Sequence, residues 1–85
     1  MVAKEKLIAR FKRMPKDFTF EETETLLRYF GYERYNKGAT SGSRIRFKNQ
    51  ESGMWVDLHR PHPGNIMKEW MMKVLYKHLK ENGLI

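Results

Sequence analysis

Two six-residue stretches, SRIRFK at 43–48 and MWVDLH at 54–59, alternate in period two, and the five residues between them, NQESG, carry turn chemistry. Successive side chains of a strand point to opposite faces, so this pattern predicts an antiparallel hairpin with one face buried and one open to water. In it Ser43, Ile45 and Phe47, with Met54, Val56 and Leu58, form the inward set. Arg44, Arg46 and Lys48, with Trp55, Asp57 and His59, form the outward one. A shorter aromatic run, Tyr32 to Asn36, supplies a first strand, and three strands in a meander are the simplest arrangement. Pro61 and Pro63 in RPHPGN each lack an amide donor, so the sheet ends before them.

Helical spacing takes over on either side. Leu7, Ile8, Phe11 and Met14 recur at i, i+1, i+4 and i+7, which predicts a helix from Ala3 to Met14, stopped by Pro15. Thr19 and Glu22 are spaced as a capping box, and Glu21 and Glu24 suit the positive end of a helix dipole. A second helix is therefore expected from Phe20 to Phe30, with Leu26, Leu27 and Phe30 as its apolar stripe and Gly31 as its stop. A last helix, Met67 to Asn82, has Met71, Val74, Leu75, His78 and Leu79 on one stripe and is ended by Gly83. The expected architecture is a single α+β domain in the order α-α-β-β-β-α, with helices on one face of a three-stranded antiparallel sheet.

A chain of 85 residues buries only a small core, so its five Phe, four Tyr, two Trp and six Met are packing material first. There is no Cys, which removes disulfides, thiolate metal sites and Cys nucleophiles. The first 20 residues are basic but no apolar run follows, so the sequence predicts neither a signal peptide nor a membrane span, and the cytoplasm is the expected compartment. A net charge of +7 points to a polyanionic partner. No helix pairs a strongly basic face with a broad apolar one, so nucleic acid fits better than a membrane surface.

The open face then carries the candidate site. Its plain alternative is a solvated strand face whose charges keep the sheet from aggregating. Between residues 34 and 62 only Glu51 and Asp57 oppose six Lys and Arg, which favours phosphate binding. Trp55 is suited to stack on an unpaired base, or to be covered by a terminus or partner. His59 either pairs with Asp57 or a backbone group, or acts as general acid or base, since imidazole titrates near pH ~6.5. His59 and His62 lack a third ligand, so no metal is expected. The loop KGATSGS lacks the GK[ST] ending and the following helix of a phosphate loop, and His78 is expected to be a hydrogen-bonded residue at the core edge.

The stretches LLRYFGYE, KGATSGSRIRF, VDLHRPHPGNIMK and the terminal NGLI together resemble the HicA family of toxins from bacterial and archaeal HicA/HicB toxin-antitoxin pairs. The likeness covers residues 16–85, with residues 1–15 as an N-terminal helical extension. It implies a double-stranded-RNA-binding-like fold, an mRNA endoribonuclease that needs no cofactor, and a HicB-like antitoxin that covers the active surface. In typical members the Gly-Ser pair is followed by the histidine taken as catalytic, whereas here Gly42-Ser43 is followed by Arg44. An arginine stays protonated and cannot abstract the proton of a 2′-hydroxyl, but its planar fork can hold a phosphate and stabilise charge on phosphorus. The expected catalytic set is thus Arg44 with His59 or His62. The expected RNA-binding set is Arg44, Arg46, Lys48 and Trp55 on the face, with Lys37, Ser41, Ser43 and Arg60 beside it, Lys37 to Gly42 forming a hairpin that admits RNA to the backbone. A member that binds RNA or antitoxin with weakened or lost cleavage is the alternative.

Overall fold

A computed structural model describes residues 2–35, 44–61 and 64–85. Helix α1 runs Val2–Lys12 and α2 runs Phe20–Tyr29, followed by strands β1 (Tyr32–Tyr35), β2 (Arg44–Asn49) and β3 (Trp55–His59), and by helix α3 (Glu69–Glu81). The protein is an α+β fold whose strands pair antiparallel in the order β1-β2-β3.

Helix α1 ends two residues before the expected Met14. With Pro15 next, Met14 leaves the helical conformation, takes a left-handed one (φ 54°) and donates its amide to the Phe11 carbonyl at 2.9 Å. The helix is part of the core: Phe11 is fully buried, with Phe18 at 5.5 Å and Tyr76 of α3 at 6.0 Å between ring centroids. Arg10 ties it to α2 by donating to Glu22, and this hydrogen bond holds the Glu22 carboxyl below its ordinary range against the opposing effect of burial. The capping box forms as expected, with the Glu22 amide donating to the Thr19 hydroxyl and the Thr19 amide to the Glu22 carboxylate, both at 3.0 Å. Gly31, at φ 90°, supplies the left-handed turn from α2 into β1.

One side of the sheet is apolar. Phe47, Val56 and Leu58 are buried there against Phe20, Leu26 and Leu27 of the α2 segment and Met71, Met72, Leu75 and Leu79 of α3. Two expected core residues are not in it. Met54 lies before β3 and is 44% exposed, because Asn49 takes the last inward position of β2. The buried Asn49 side chain donates to the Phe30 carbonyl and accepts from the amides of Glu51 and Ser52, so the loop folds around it and Met54 stays in the turn. Val74 is 45% exposed while Met72, outside the expected stripe, is buried, so α3 faces the core on a slightly rotated stripe.

The connection after β3 is fastened to the start of α2. The Phe20 amide donates to the Asn65 carbonyl and the Met67 amide to the Phe18 carbonyl, both at 2.7 Å, around a one-pair bridge between Thr19 and Ile66. This fixes where α3 begins relative to the end of β3, and so what stands beside His59.

Candidate nucleic-acid interface

The register sets the open face pair by pair. Arg44 is opposite His59, Arg46 opposite Asp57 and Lys48 opposite Trp55. On the other side Tyr35 stands opposite Arg46 and Glu33 opposite Lys48. Directly opposed residues have Cβ atoms ~4.5–5.5 Å apart, so each pair acts as one local unit.

The three basic residues of β2 are not equivalent. Arg46 donates to both Asp57 carboxylate oxygens, at 2.8 and 3.2 Å, and its guanidinium lies 3.9 Å from the Trp55 ring centroid. Asp57 is held below its ordinary range chiefly by that hydrogen bond, which outweighs desolvation, with Arg44 and His59 adding to it. Arg46 is thus neutralised and one face of the indole is occupied, leaving Trp55, 50% exposed, with one face for a base. Lys48 places its ammonium 5.2 Å from the Tyr35 ring and faces Glu33, an acid that the sequence reasoning left out of the face.

Arg44 is held more loosely than Arg46. About half of its side chain is exposed, and its nearest carboxylate oxygen, on Asp57, is 3.9 Å away, too far for a hydrogen bond. Across from it His59 is exposed and, among the described residues, has no acidic partner within ion-pair distance. Of the two readings open for His59, its pairing with Asp57 is not formed among the described residues, where Arg46 takes the carboxylate. A fork of five donors beside an exposed imidazole is an arrangement that can hold a phosphodiester and exchange a proton next to it.

Of the remaining expected residues, Arg60 leaves the face. It lies just past the end of β3, outside the outward row, with its guanidinium 5.0 Å from the Phe20 ring. Lys37, Ser41, Ser43 and His62, together with the loop Lys37 to Gly42, lie outside the described residues.

The structure adds one residue to the surface. Trp70, in the first turn of α3, is 52% exposed and its ring lies 6.1 Å from that of His59. The signal was available in the sequence: Trp70 falls off the stripe that contains Met71, Leu75 and Leu79, so a tryptophan there has no core to enter. A small cavity of about 40 Å³ is lined by His59, Arg60, Pro61, Lys68, Trp70 and Met71. The larger cavity, about 540 Å³, lies between the α1–α2 connection and the start of α3 and contains none of the candidate residues.

Among the described residues no group of three or more His, Cys, Asp or Glu is placed to hold a metal ion, and no helix is long and apolar enough to cross a membrane. No family model, curated protein or solved structure matches the chain.

Proposed function

We propose that this chain is a HicA-type toxin: an RNA-binding, metal-independent mRNA endoribonuclease of the cytoplasm that halts translation and is neutralised by a HicB-like antitoxin. The observation that carries the reading is the cross-strand pair of Arg44 and His59 on the open face, a half-exposed guanidinium held only by a long ion pair to Asp57 and directly opposite an exposed imidazole. The order of helices and strands agrees with the double-stranded-RNA-binding-like fold that the resemblance implies.

In the proposed reaction Arg44 binds the two non-bridging oxygens of a phosphodiester and stabilises the charge that builds on phosphorus. The 2′-hydroxyl gives its proton to a neutral imidazole, that of His59 or His62, and its oxygen attacks phosphorus. The 5′-oxygen departs and takes a proton from an imidazolium or water, leaving a cyclic phosphate. Arg46 and Asp57 make no covalent step and fix the floor beneath the reacting group.

A second reading, an RNA-binding or antitoxin-binding member with weakened cleavage, is favoured by the residue after Gly42-Ser43, an arginine that cannot act as base. One experiment separates the two. Purified protein made without an antitoxin is incubated with mRNA in EDTA, as wild type and as Arg44→Ala, His59→Ala and His62→Ala. Cleavage that falls in the Arg44 variant and in one histidine variant supports the nuclease. Cleavage equal in all four proteins removes the catalytic assignment, and RNA binding without cleavage selects the second reading.

A further inference from the structure

We infer that Trp70 and His59 form a base-stacking subsite for one unpaired nucleotide, which sets the phosphodiester that reaches Arg44; the inference rests on RNA being the ligand. Four observations converge on this corner. The indole of Trp70 is half exposed although no core position requires it. Its ring and the His59 imidazole are 6.1 Å apart and inclined at 50°, a tilted pair rather than a face-to-face stack, and both rings are exposed to solvent beside one another. Arg44 lies directly across the sheet from His59, and Lys68 lines the same small cavity, so cations flank the ring pair. Finally, the hydrogen bonds that fasten residues 65–67 to the start of α2 hold the first turn of α3 against the end of β3.

The chemistry selects the ligand class. An indole accepts any base on its π-face, and a cation beside it meets the backbone, which is how single strands are gripped without reading sequence. Trp55 offers a second platform at the far end of β3, four residues and so about 13 Å from His59. A duplex stacks its bases against one another every ~3.4 Å and presents no base face to either indole. Both platforms therefore call for unpaired RNA, in which bases splay onto aromatic rings.

The chain contains only two tryptophans, Trp55 and Trp70. Trp55→Phe therefore makes Trp70 the sole indole, and its fluorescence reports on this corner. Full-length Trp55→Phe is titrated with an end-labelled single-stranded RNA and with a duplex of the same length, following both the label's anisotropy and the protein's emission. The expected result is quenching by the single strand and none by the duplex. In a Trp55-containing background, Trp70→Ala should weaken single-strand binding about five- to a hundredfold, and Trp70→Phe should restore most of the loss. Circular dichroism checks that both variants are folded, and Trp70→Phe keeps the test decisive if Trp70→Ala is not.

Single-strand binding with unchanged Trp70 emission and unchanged affinity of the Trp70 variants overturns the subsite while leaving RNA as the ligand; the exposed indole then serves a protein partner instead. Absence of binding to either RNA overturns the subsite together with the reading it rests on. Equal quenching by the duplex overturns the choice of unpaired RNA.

Discussion

Two histidines stand near opposite ends of α3, and their surroundings differ in every respect that decides a role. His59, beside Trp70 in the first turn, is exposed, opposite Arg44 and without a hydrogen-bond partner among the described residues. His78, in the last turns, is half-buried, its Nε2 is 2.6 Å from the Tyr32 hydroxyl, and the two rings meet edge to face at 5.7 Å. Burial pushes the His78 pKa down and the Tyr32 hydroxyl up. One imidazole is thus available to a ligand and the other is spent on joining α3 to β1. The residue type is the same, and the sheet register and helix phase give it two settings.

The sharpest way to break this comparison is to remove each ring in turn. With His59 rather than His62 as the proton acceptor of the proposed function, His59→Gln lowers mRNA cleavage about 10²- to 10⁴-fold, the usual contribution of a proton-transfer group, and leaves the melting temperature nearly unchanged. Arg44→Ala lowers it about 10²- to 10³-fold, as loss of a charge-stabilising donor does. His78→Gln should do the reverse, keeping cleavage and costing stability. A His59 variant as active as wild type would make the two histidines alike, and the catalytic half of the comparison would be lost.

The next effect is on stability. Tyr32 is almost fully buried, so Tyr32→Phe leaves the His78 nitrogen without its partner. The expected cost is about 1–3 kcal/mol. In a domain of this size each kcal/mol lowers the melting temperature by about 4–8 °C. Removing both polar groups, as Tyr32→Phe with His78→Leu, should cost less than the sum of the single changes, because neither group is then left unsatisfied. Additive losses in the thermal melts would mean that the hydrogen bond does not couple the two sites.

How much of this was legible before the structure depends on the strictness of each pattern. The strands, their meander and the outward rows follow from period-two alternation, which tolerates no slip without burying charges, and Arg44 opposite His59 follows from the hairpin. Met54 was misplaced because nothing in NQESG announces that Asn49 stays in the strand and gathers the loop amides. Val74 and Met72 were exchanged because Met71 and Met72 are both apolar, so two stripes one residue apart fit the last helix equally well. Three basic residues in a row look alike in sequence, and only the geometry at Asp57 separates Arg46, which is hydrogen-bonded to both carboxylate oxygens, from Arg44, which makes a long ion pair at 3.9 Å. Trp70 was legible as a residue off its stripe but not as a neighbour of His59. That contact depends on the fastening of residues 65–67 to α2, a tertiary event with no local signature.

A pH series sharpens the buried half of the comparison. His78 has a folded pKa below its ordinary value of 6.5, so the unfolded chain binds the proton more readily. Its contribution to stability is complete above that value and is lost as pH falls through the interval down to the folded pKa. Glu22, Glu24 and Asp57 are depressed as acids, through hydrogen bonds to Arg10, Arg34 and Arg46 in that order. Their contribution is complete above their ordinary values of 4.5, 4.5 and 3.8 and is lost only below them. Thermal melts of wild type should therefore fall in two stages on acidification. In His78→Gln the first stage should vanish and the second remain. An unchanged first stage in that variant would place the titration elsewhere.

The smallest expected effect concerns the exposed half, and it is a gain. Asp57 accepts both hydrogen bonds of Arg46 and draws Arg44 to within 3.9 Å, so it restrains both guanidiniums of β2. Asp57→Asn keeps the shape and removes the charge, which should release Arg46 to a phosphate. Each added contact to a single strand steepens the dependence of log affinity on log salt by about 0.7, and each lost contact flattens it by the same amount. Single-strand binding measured from low to moderate salt should accordingly steepen by about 0.7 in Asp57→Asn and flatten by about 0.7 in Arg44→Gln. Arg46→Gln in the wild-type background should change the slope little, because that guanidinium is already neutralised. A loss in Arg46→Gln as large as in Arg44→Gln would mean that RNA displaces Asp57 on binding. The face would then act as three equivalent cations rather than as one loosely held arginine set opposite a histidine.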